Sequence, residues 1–182
     1  MELFKNIKLK IGAAILRNKV GKNRRRKVYQ NFNFVKNIGI VWNALNKEEF
    51  QTLAKFHQQM SERNIDVQII GYYDEKSLPD RYTAIRYLSC IRKDEINAFY
   101  IPISGDAQAF INKQFDVLID INFDKLFILR YITVLSNALL KVGLSESENH
   151  ASPFDLIMEI KKPVSVDNYL KQVVQYLEMM NS

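Results

Sequence analysis

The stretch Ile38-Gly39-Ile40-Val41-Trp42 is a near-continuous apolar run, and it decides the fold that we predict for this chain. An amphipathic helix follows it, and a second apolar run, Val67–Tyr73, comes next. A strand that is apolar along its whole length is typical of a sheet covered on both faces. The helix between the two runs is long enough to be the crossover of a parallel β-α-β unit.

The same alternation of strands and helices continues to the end of the chain. We predict further strands at Asn97–Ile101, Phe115–Ile121, Leu140–Val142 and Phe154–Ile160. Ser165 begins a last helix, whereas residues 74–95 contain no clear pattern and residues 82–91 fit either a short helix or an irregular strand. This alternation predicts a three-layer α/β sandwich with a mainly parallel, Rossmann-like sheet of five or six strands.

Charge is distributed unevenly along the sequence. Residues 1–36 contain eleven Lys or Arg side chains and one acid, Glu2, which gives a net charge of +10. The other 146 residues contain 15 basic and 19 acidic side chains, which gives a net charge of −4. Such asymmetry indicates that the basic segment meets an anionic partner. We therefore predict a basic arm at residues 1–36 and a single α/β domain at residues 37–182.

The basic arm begins with a predicted amphipathic helix from residue 3 to residue 20. Its apolar residues form a major stripe, made of Leu3, Phe4, Ile7, Ile11, Ala14 and Ile15. A minor stripe is made of Leu9, Leu16 and Val20. If the helix binds lipid, the residues that we expect to face the membrane are Phe4, Ile7, Ile11 and Ile15.

Three interpretations of the basic arm remain open. An amphipathic helix with Lys and Arg on its polar side can lie in a membrane interface. A dense basic cluster close to Tyr29 and Phe32 can instead bind RNA through its phosphates. In the third interpretation the helix packs its apolar face onto the domain and its charges are only solvated. For either anionic surface the predicted contacts are Lys5, Lys8, Lys10, Arg17, Lys19, Lys22, Arg24, Arg25, Arg26 and Lys27.

No motif of a known enzyme class is present in the sequence. No glycine-rich phosphate loop follows a predicted strand, and residues 43–46 after the first strand contain no glycine. Cys90 is the only cysteine, which excludes paired-cysteine metal motifs and fits a reducing compartment. The two histidines, His57 and His150, have no partner at a ligand spacing. We therefore predict no catalytic residue, no metal site and no cofactor.

One group of polar residues is a candidate ligand site. Asp120, Asn122 and Asp124 stand where the strand at residues 115–121 ends and the next helix begins. Ligands of open α/β sheets bind beyond the carboxyl ends of strands, and oxygen ligands at this spacing can hold Mg²⁺. The structural alternative is that Asn122 or Asp124 caps the helix while Asp120 bonds to loop amides. An enzyme built here would be a transferase, or a transferase subunit, that binds a phosphorylated ligand or a sugar nucleotide.

Several stretches carry a resemblance to a known family. They are the basic N-terminus, Lys36-Asn37-Ile38-Gly39-Ile40, the run at residues 115–121, Ser136-Asn137-Ala138 and Lys141-Val142-Gly143. Together they resemble a family of small Rossmann-like α/β proteins of unknown function from Bacteroidetes. This resemblance covers nearly the whole chain, implies a cytoplasmic bacterial protein, and transfers no catalytic residues.

The strand–helix–strand stretch from residue 115 to residue 143 is also similar to the N-terminal half of lipopolysaccharide heptosyltransferases. Those enzymes need a second Rossmann half to bind the nucleotide sugar, and we expect no such half in a chain of 182 residues. The likeness therefore implies a fold, and a fold alone does not determine function.

Taken together, the residues predict a binding or assembly module rather than an enzyme. We expect its basic arm to attach to an anionic membrane surface or to RNA, and a protein partner is a third candidate. No secretory signal and no run of about 20 apolar residues is apparent. The expected location is the cytoplasm, including a peripheral position on the inner face of the membrane.

Overall fold

A computed structural model describes residues 2–21, 25–145, 152–160 and 163–180. The described residues form six strands, namely β1 (Asn37–Asn43), β2 (Asp66–Tyr73), β3 (Leu88–Arg92), β4 (Val117–Ile121), β5 (Leu140–Leu144) and β6 (Leu156–Met158). They build one sheet in the order β3-β2-β1-β4-β5-β6, and every pairing between neighbouring strands is parallel. The predicted α/β fold with a parallel sheet is confirmed, as is the N-terminal helix.

Helices cover both faces of this sheet. The described helices are α1 (Glu2–Val20), α2 (Glu49–Glu62), α3 (Asp80–Thr83), α4 (Gly105–Asn112), α5 (Phe127–Leu135) and α6 (Val166–Met179). Side chains from α2 and α6 build the core on one face, and side chains from α1, α4 and α5 build the core on the other. Because both faces are covered, the central strands are apolar along their whole length.

Strand β1 lies in the middle of the sheet, between β2 and β4. Ile38, Ile40 and Trp42 enter the core beside α2 and α6, whereas Val41 enters the opposite core. A side chain at Gly39 would lie 2.9 Å from the side chains of Phe115 and Leu118, so this position requires glycine. The predicted strands β1, β2 and β4 lie side by side in the sheet, where burial of both faces selects apolar residues at nearly every position.

The strand predicted at Asn97–Ile101 is wrong, because this segment is a tight loop and the strand next to β2 is β3. The Oδ1 atom of Asn97 accepts hydrogen bonds from the backbone N–H groups of Phe99 and Ile101, which folds the chain back on itself. Tyr100 has a φ of 59°, which a strand does not allow. The segment is apolar because it packs beneath α1, not because it belongs to the sheet.

Residues from the predicted basic arm contact the domain at several places. Phe32 and Val35 are buried in the core beside α2 and α6. The backbone N–H of Val28 donates a hydrogen bond to the carbonyl of Leu139, just before β5. The chain between α1 and β1 therefore runs across the N-terminal edge of the sheet, where β5 begins.

Helix α1 packs against α5 and the loop at residues 97–101 through one narrow face. This inner stripe consists of Leu9, Gly12, Ala13 and Leu16, and Leu16 is only 7% exposed. A Cβ atom at Gly12 would lie 2.4 Å from the carbonyl oxygen of Phe99 and 3.0 Å from the ring of Phe127. The missing side chain of Gly12 is therefore what allows α1 to approach the domain this closely.

Replacing Gly12 with Ala tests this close approach. The added methyl group must push α1 away from Phe99 and Phe127, so we expect the free energy of unfolding in urea to fall by about 1–3 kcal/mol. Gly105→Ala is the matched control, because no atom lies within 4 Å of the Cβ position at this first residue of α4. The control should keep or slightly raise the stability. Equal stability of Gly12→Ala and wild type would contradict the packing of α1 described above.

Candidate functional site

The predicted ligand residues lie at the C-terminal edge of the sheet. The strand order reverses between β1 and β4, and in doubly wound sheets such a switch point is where ligands bind. Asp120 lies near the end of β4, and Asn122 and Asp124 lie in the loop that leads to α5. The three residues therefore lie at the end of a strand and in the loop after it, and their role as ligand residues stays a prediction.

The structure does not bring the three side chains to one common point. The carboxylate of Asp120 is buried and accepts hydrogen bonds from the hydroxyl of Thr133 and the backbone N–H of Asn122. The side-chain amide of Asn122 bonds instead to both backbone groups of Leu126. Asp120 and Asn122 therefore each stabilise a different segment of the loop and helix that follow β4. Among the described residues, no three His, Cys, Asp or Glu side chains are grouped closely enough to hold a metal ion.

Asp124 closes the crevice between β1 and β4. Its Oδ2 atom accepts hydrogen bonds from the side-chain amides of Asn43 at 2.6 Å and Asn46 at 3.0 Å. A carboxylate of the protein thus lies in the crevice at the switch point, where ligands bind in doubly wound folds. This arrangement joins the loops after β1 and β4 to each other.

The N-terminus of α2, which begins at the same crevice, carries two acids. Glu48 is the N-cap residue and its side chain makes no capping hydrogen bond, and Glu49 is the first residue of the helix. Glu49 accepts a hydrogen bond from Nε1 of Trp42, and burial and the charge of Asp124 raise its pKa. Two carboxyl groups at the positive end of the helix dipole oppose the binding of a phosphate.

The basic N-terminal segment presents a different kind of surface. Leu3, Phe4, Ile7 and Ile11 are exposed to 70%, 72%, 46% and 40%, and we call them the outer stripe. Ile15, which was predicted on the same face, is half-buried and packs against the core beside α5. At 100° per residue the outer stripe and the inner stripe lie roughly 180° apart on α1. The major apolar stripe of the sequence therefore points mostly away from the domain, and α1 is held by its minor face.

The predicted basic contacts occupy the borders between these two stripes. On the helical wheel Lys8 and Lys19 lie on one border, and Lys10 and Arg17 lie on the other. All four are exposed along with Lys5, and the Nζ atom of Lys19 also lies 5.6 Å from the ring centroid of Tyr131 in α5. Lys22 and Arg24 lie outside the described residues.

A buried carboxylate fastens the end of the basic segment to the sheet. Asp155, just before β6, forms ion pairs with Arg25 at 2.7 Å and Lys27 at 2.8 Å, and its side chain is only 3% exposed. Arg25 also donates hydrogen bonds to the carbonyls of Ala138 and Leu139, and the phenol of Tyr29 donates to the carbonyl of Asp155. We call Arg25, Lys27 and Asp155 the clasp. Although burial alone raises the pKa of Asp155, its bonds to Arg25, Lys27 and the backbone N–H of Lys141 hold that pKa below its usual value.

Lys141 in β5 is a buried lysine beside the clasp. Its Nζ atom donates a hydrogen bond of 2.7 Å to the carbonyl of Val134, near the end of α5. A cation at a helix C-terminus is favourable, but burial and the nearby charge of Arg25 lower the pKa of Lys141 to about 7. The neutral and charged forms of this lysine therefore exchange near neutral pH.

Sequence reasoning missed the roles of Asp155, Lys141 and the minor stripe of α1. Asp155 could not be found, because its partner Arg25 comes from a distant part of the chain. Lys141 could not be found, because its Nζ atom bonds to a backbone carbonyl, which leaves no mark in the sequence. The docking face of α1 did leave a signal in the sequence. Gly12 and Ala13 are adjacent small residues between Leu9 and Leu16, and small residues on a helix mark a close approach of two backbones.

Residues 8–180 of the chain match a family of unknown function (DUF6913), and the chain belongs to that family. A search of curated proteins found no match. The predicted membership of a family of unknown function with a parallel α/β sheet is therefore confirmed. An origin in Bacteroidetes and a likeness to heptosyltransferases remain predictions.

The lowered pKa of Lys141 predicts how stability depends on pH. Between pH 7 and about 10.5 the unfolded chain keeps the proton of this lysine while the folded protein has lost it, so the free energy of unfolding rises with pH. Lys141→Met removes that contribution. We expect urea unfolding of the variant, measured from pH 6 to pH 10, to show a flatter pH dependence than wild type.

The control for this experiment is Lys171→Met, which changes an exposed lysine in α6 and should keep the slope of the wild type. The comparison uses slopes rather than absolute stabilities, because Lys141→Met also removes the hydrogen bond to Val134. Parallel pH curves for wild type and Lys141→Met would contradict the shifted pKa.

Proposed function

We propose that this protein is a peripheral membrane-binding module, and that α1 attaches it to an anionic lipid surface. The observation that carries the proposal is the outer stripe. Four large apolar side chains lie on the face of α1 that is opposite to the docked face, and they are exposed. Exposing such a row to water is unfavourable, and contiguous exposed apolar surface marks an interaction site.

The positions of the basic residues support lipid as the partner. Lys8 and Lys19 on one border of α1, and Lys10 and Arg17 on the other, lie level with the plane that separates the outer stripe from the domain. A helix in a membrane interface buries its apolar face and directs its Lys and Arg side chains to the headgroups. The arrangement of α1 has this form, with the domain on the side away from the lipid.

Two other partners fit the arrangement less well. RNA was a candidate because of the basic cluster at residues 24–27, but Arg25 and Lys27 are paired with Asp155, and Tyr29 bonds to the backbone of the same residue. A second copy of the chain would bring two sets of lysines together around a shared apolar contact, which is repulsive. An anionic lipid surface can bury the outer stripe and also pair with the basic residues at its borders.

The proposal concerns attachment to one face of a bilayer. In the described part of the chain, no helix combines the length and the apolar character that crossing a membrane requires. The body beyond residue 36 carries a net charge of −4, so the membrane surface attracts α1 and repels the rest of the molecule. The same charges therefore support an orientation as well as an attachment.

Polar substitutions in the outer stripe test the proposal directly. We expect the triple variant Phe4→Ser, Ile7→Ser, Ile11→Ser to bind vesicles of phosphatidylglycerol and phosphatidylcholine at least tenfold more weakly than wild type in a co-sedimentation assay. The physical reason is the loss of about 0.8 kcal/mol for each CH₂ group that is no longer buried in the interface. The matched control is Met179→Ser, which changes an exposed apolar side chain on α6.

The results separate the candidate partners. Equal vesicle binding by wild type and the triple variant would exclude lipid insertion by α1. Binding to a single-stranded RNA that survives the triple variant but is lost with Arg26→Gln would favour the RNA interpretation, because phosphate contacts do not need the apolar stripe.

Neutralising the basic residues at the borders of the outer stripe makes a separate prediction. A basic residue near an anionic surface contributes about 1 kcal/mol, so replacing Lys8, Lys10 and Arg17 with Gln should weaken binding to anionic vesicles roughly a hundredfold at low salt. Binding to vesicles of phosphatidylcholine alone should stay unchanged, because no surface charge is present there. A similar loss on both vesicle types would show that the substitutions disturb the helix rather than its electrostatic attraction.

A further inference from the structure

The outer edge of the sheet at β3 forms the floor of a groove. Among the described strands β3 is an edge strand, because it pairs with β2 alone. A cavity of about 190 Å³ lies at one end of this edge and a cavity of about 470 Å³ lies at the other, and both are lined by Ser89 and Asp106. One wall of the groove is formed by Tyr82 and Thr83 of α3, and the other by α4.

The register of β3 shows which backbone groups face this groove. The backbone N–H of Ile69 in β2 donates a hydrogen bond to the carbonyl of Tyr87. Because backbone groups alternate in direction along a strand, Ser89 and Ile91 also direct theirs towards β2. Leu88, Cys90 and Arg92 therefore direct theirs outwards. The outward N–H of Leu88 bonds to the carbonyl of Ile85, and that of Arg92 bonds to the carboxylate of Glu95. The carbonyls of Leu88 and Cys90 and the N–H of Cys90 thus form a short ladder along the floor of the groove.

We propose that this groove binds an extended, acidic peptide segment of a partner protein, which adds a seventh, parallel strand to the sheet beside β3. An added strand takes its affinity from backbone hydrogen bonds and its specificity from the pockets that receive alternate side chains. Here the two backbone carbonyls and the N–H of Cys90 supply three hydrogen bonds. The walls at α3 and α4 receive the side chains that point to opposite sides of the added strand.

The charge of the groove determines the chemistry of the peptide. The basic side chains that line the two cavities are Lys76, Arg86, Arg92 and Lys113, whereas the acidic ones are Glu95 and Asp106. Arg92 is paired with Asp94 and Glu95, and Lys113 is paired with Asp66. Lys76 and Arg86 are therefore the cations that the groove offers to a partner, against the single carboxylate of Asp106. This excess of positive charge favours an acidic segment and opposes a basic one. It also opposes the pairing of two β3 edges from two copies of the chain, which would bring Lys76 and Arg86 of both copies into one interface. The groove uses no residue of α1, so this inference does not depend on the proposed membrane attachment.

A set of synthetic peptides tests the proposal. The probe is a library of labelled hexapeptides in which Asp or Glu alternates with Val, Ile, Tyr or Phe, and binding is measured by fluorescence anisotropy. We expect saturable binding that falls at least tenfold when the backbone amides of the best peptide are N-methylated. A fall of at least tenfold is also expected when Lys replaces the acids or when Arg86→Glu changes the groove.

A proline at the edge strand supplies the matched protein variants. Cys90→Pro removes an outward N–H, blocks the ladder and also removes a thiol that packs against the core. Edge strands tolerate proline where the N–H faces away from the sheet. Cys90→Ala keeps the N–H and should bind like wild type. If Cys90→Pro does not fold, as judged by circular dichroism, the comparison of normal and N-methylated peptides alone tests whether the peptide pairs with the backbone of β3.

Three results would overturn the proposal. The first is the absence of saturable binding by any peptide of the library up to 1 mM. The second is equal binding by the N-methylated peptide, which would show that backbone pairing contributes nothing. The third is a dimer of the wild-type chain that Cys90→Pro dissociates, measured by light scattering, which would assign the groove to a second copy of the chain.

Discussion

The central strand β1 is buried from water on both faces, and most of the architecture depends on that constraint. Its side chains need a helical layer on each side of the sheet, and α2 with α6 supplies one layer while α4 and α5 supply much of the other. Gly39 shows how tight this packing is, because the side chains of Leu118 and Phe115 fill the space where its own would lie. With the sheet already covered, the domain needs only a narrow face of α1, and a second apolar face remains on the outside.

The attachment of α1 depends on two contacts of different kinds. At one end the absence of a side chain at Gly12 lets the helix backbone lie against Phe99 and Phe127. At the other end the clasp holds the chain beyond α1 through Asp155, which is buried and carries two cations. Breaking such a buried pair leaves an uncompensated charge, which is strongly destabilising. The two contacts together fix which face of α1 is inward, so the exposure of the outer stripe follows from the packing of the fold.

The parts of the fold that could be predicted are those in which a single requirement, such as burial on both faces, determines the residue types. Strands β1, β2 and β4 were found because burial on both faces makes them apolar throughout. The sequence left the region of strand β3 undecided between a short helix and an irregular strand, because β3 is an edge strand and Ser89 and Arg92 interrupt its apolar pattern. The loop at residues 97–101 resembled a strand because burial beneath α1 selects apolar residues as strongly as burial in a sheet does.

For α1 the sequence indicated two apolar stripes, but the stripe with the larger side chains is the one that does not contact the domain. Burial favours large residues, whereas a close helix contact favours small ones such as Gly12.

The candidate ligand site at Asp120, Asn122 and Asp124 illustrates why position within a fold does not establish a function. The sheet brings these residues to the edge where ligands bind in similar folds, yet the fold itself uses their hydrogen-bonding capacity: Asp124 joins the loops after β1 and β4, and Asn122 closes the turn before α5. The two surfaces that we propose for partners lie elsewhere, on the outer stripe of α1 and along the edge of β3. These two surfaces share no residue and differ in chemistry, since one presents apolar side chains bordered by lysines and the other presents backbone groups in a basic groove. Occupation of one surface therefore leaves the contacts of the other in place, and the two proposals together describe a module that holds a peptide partner at a membrane.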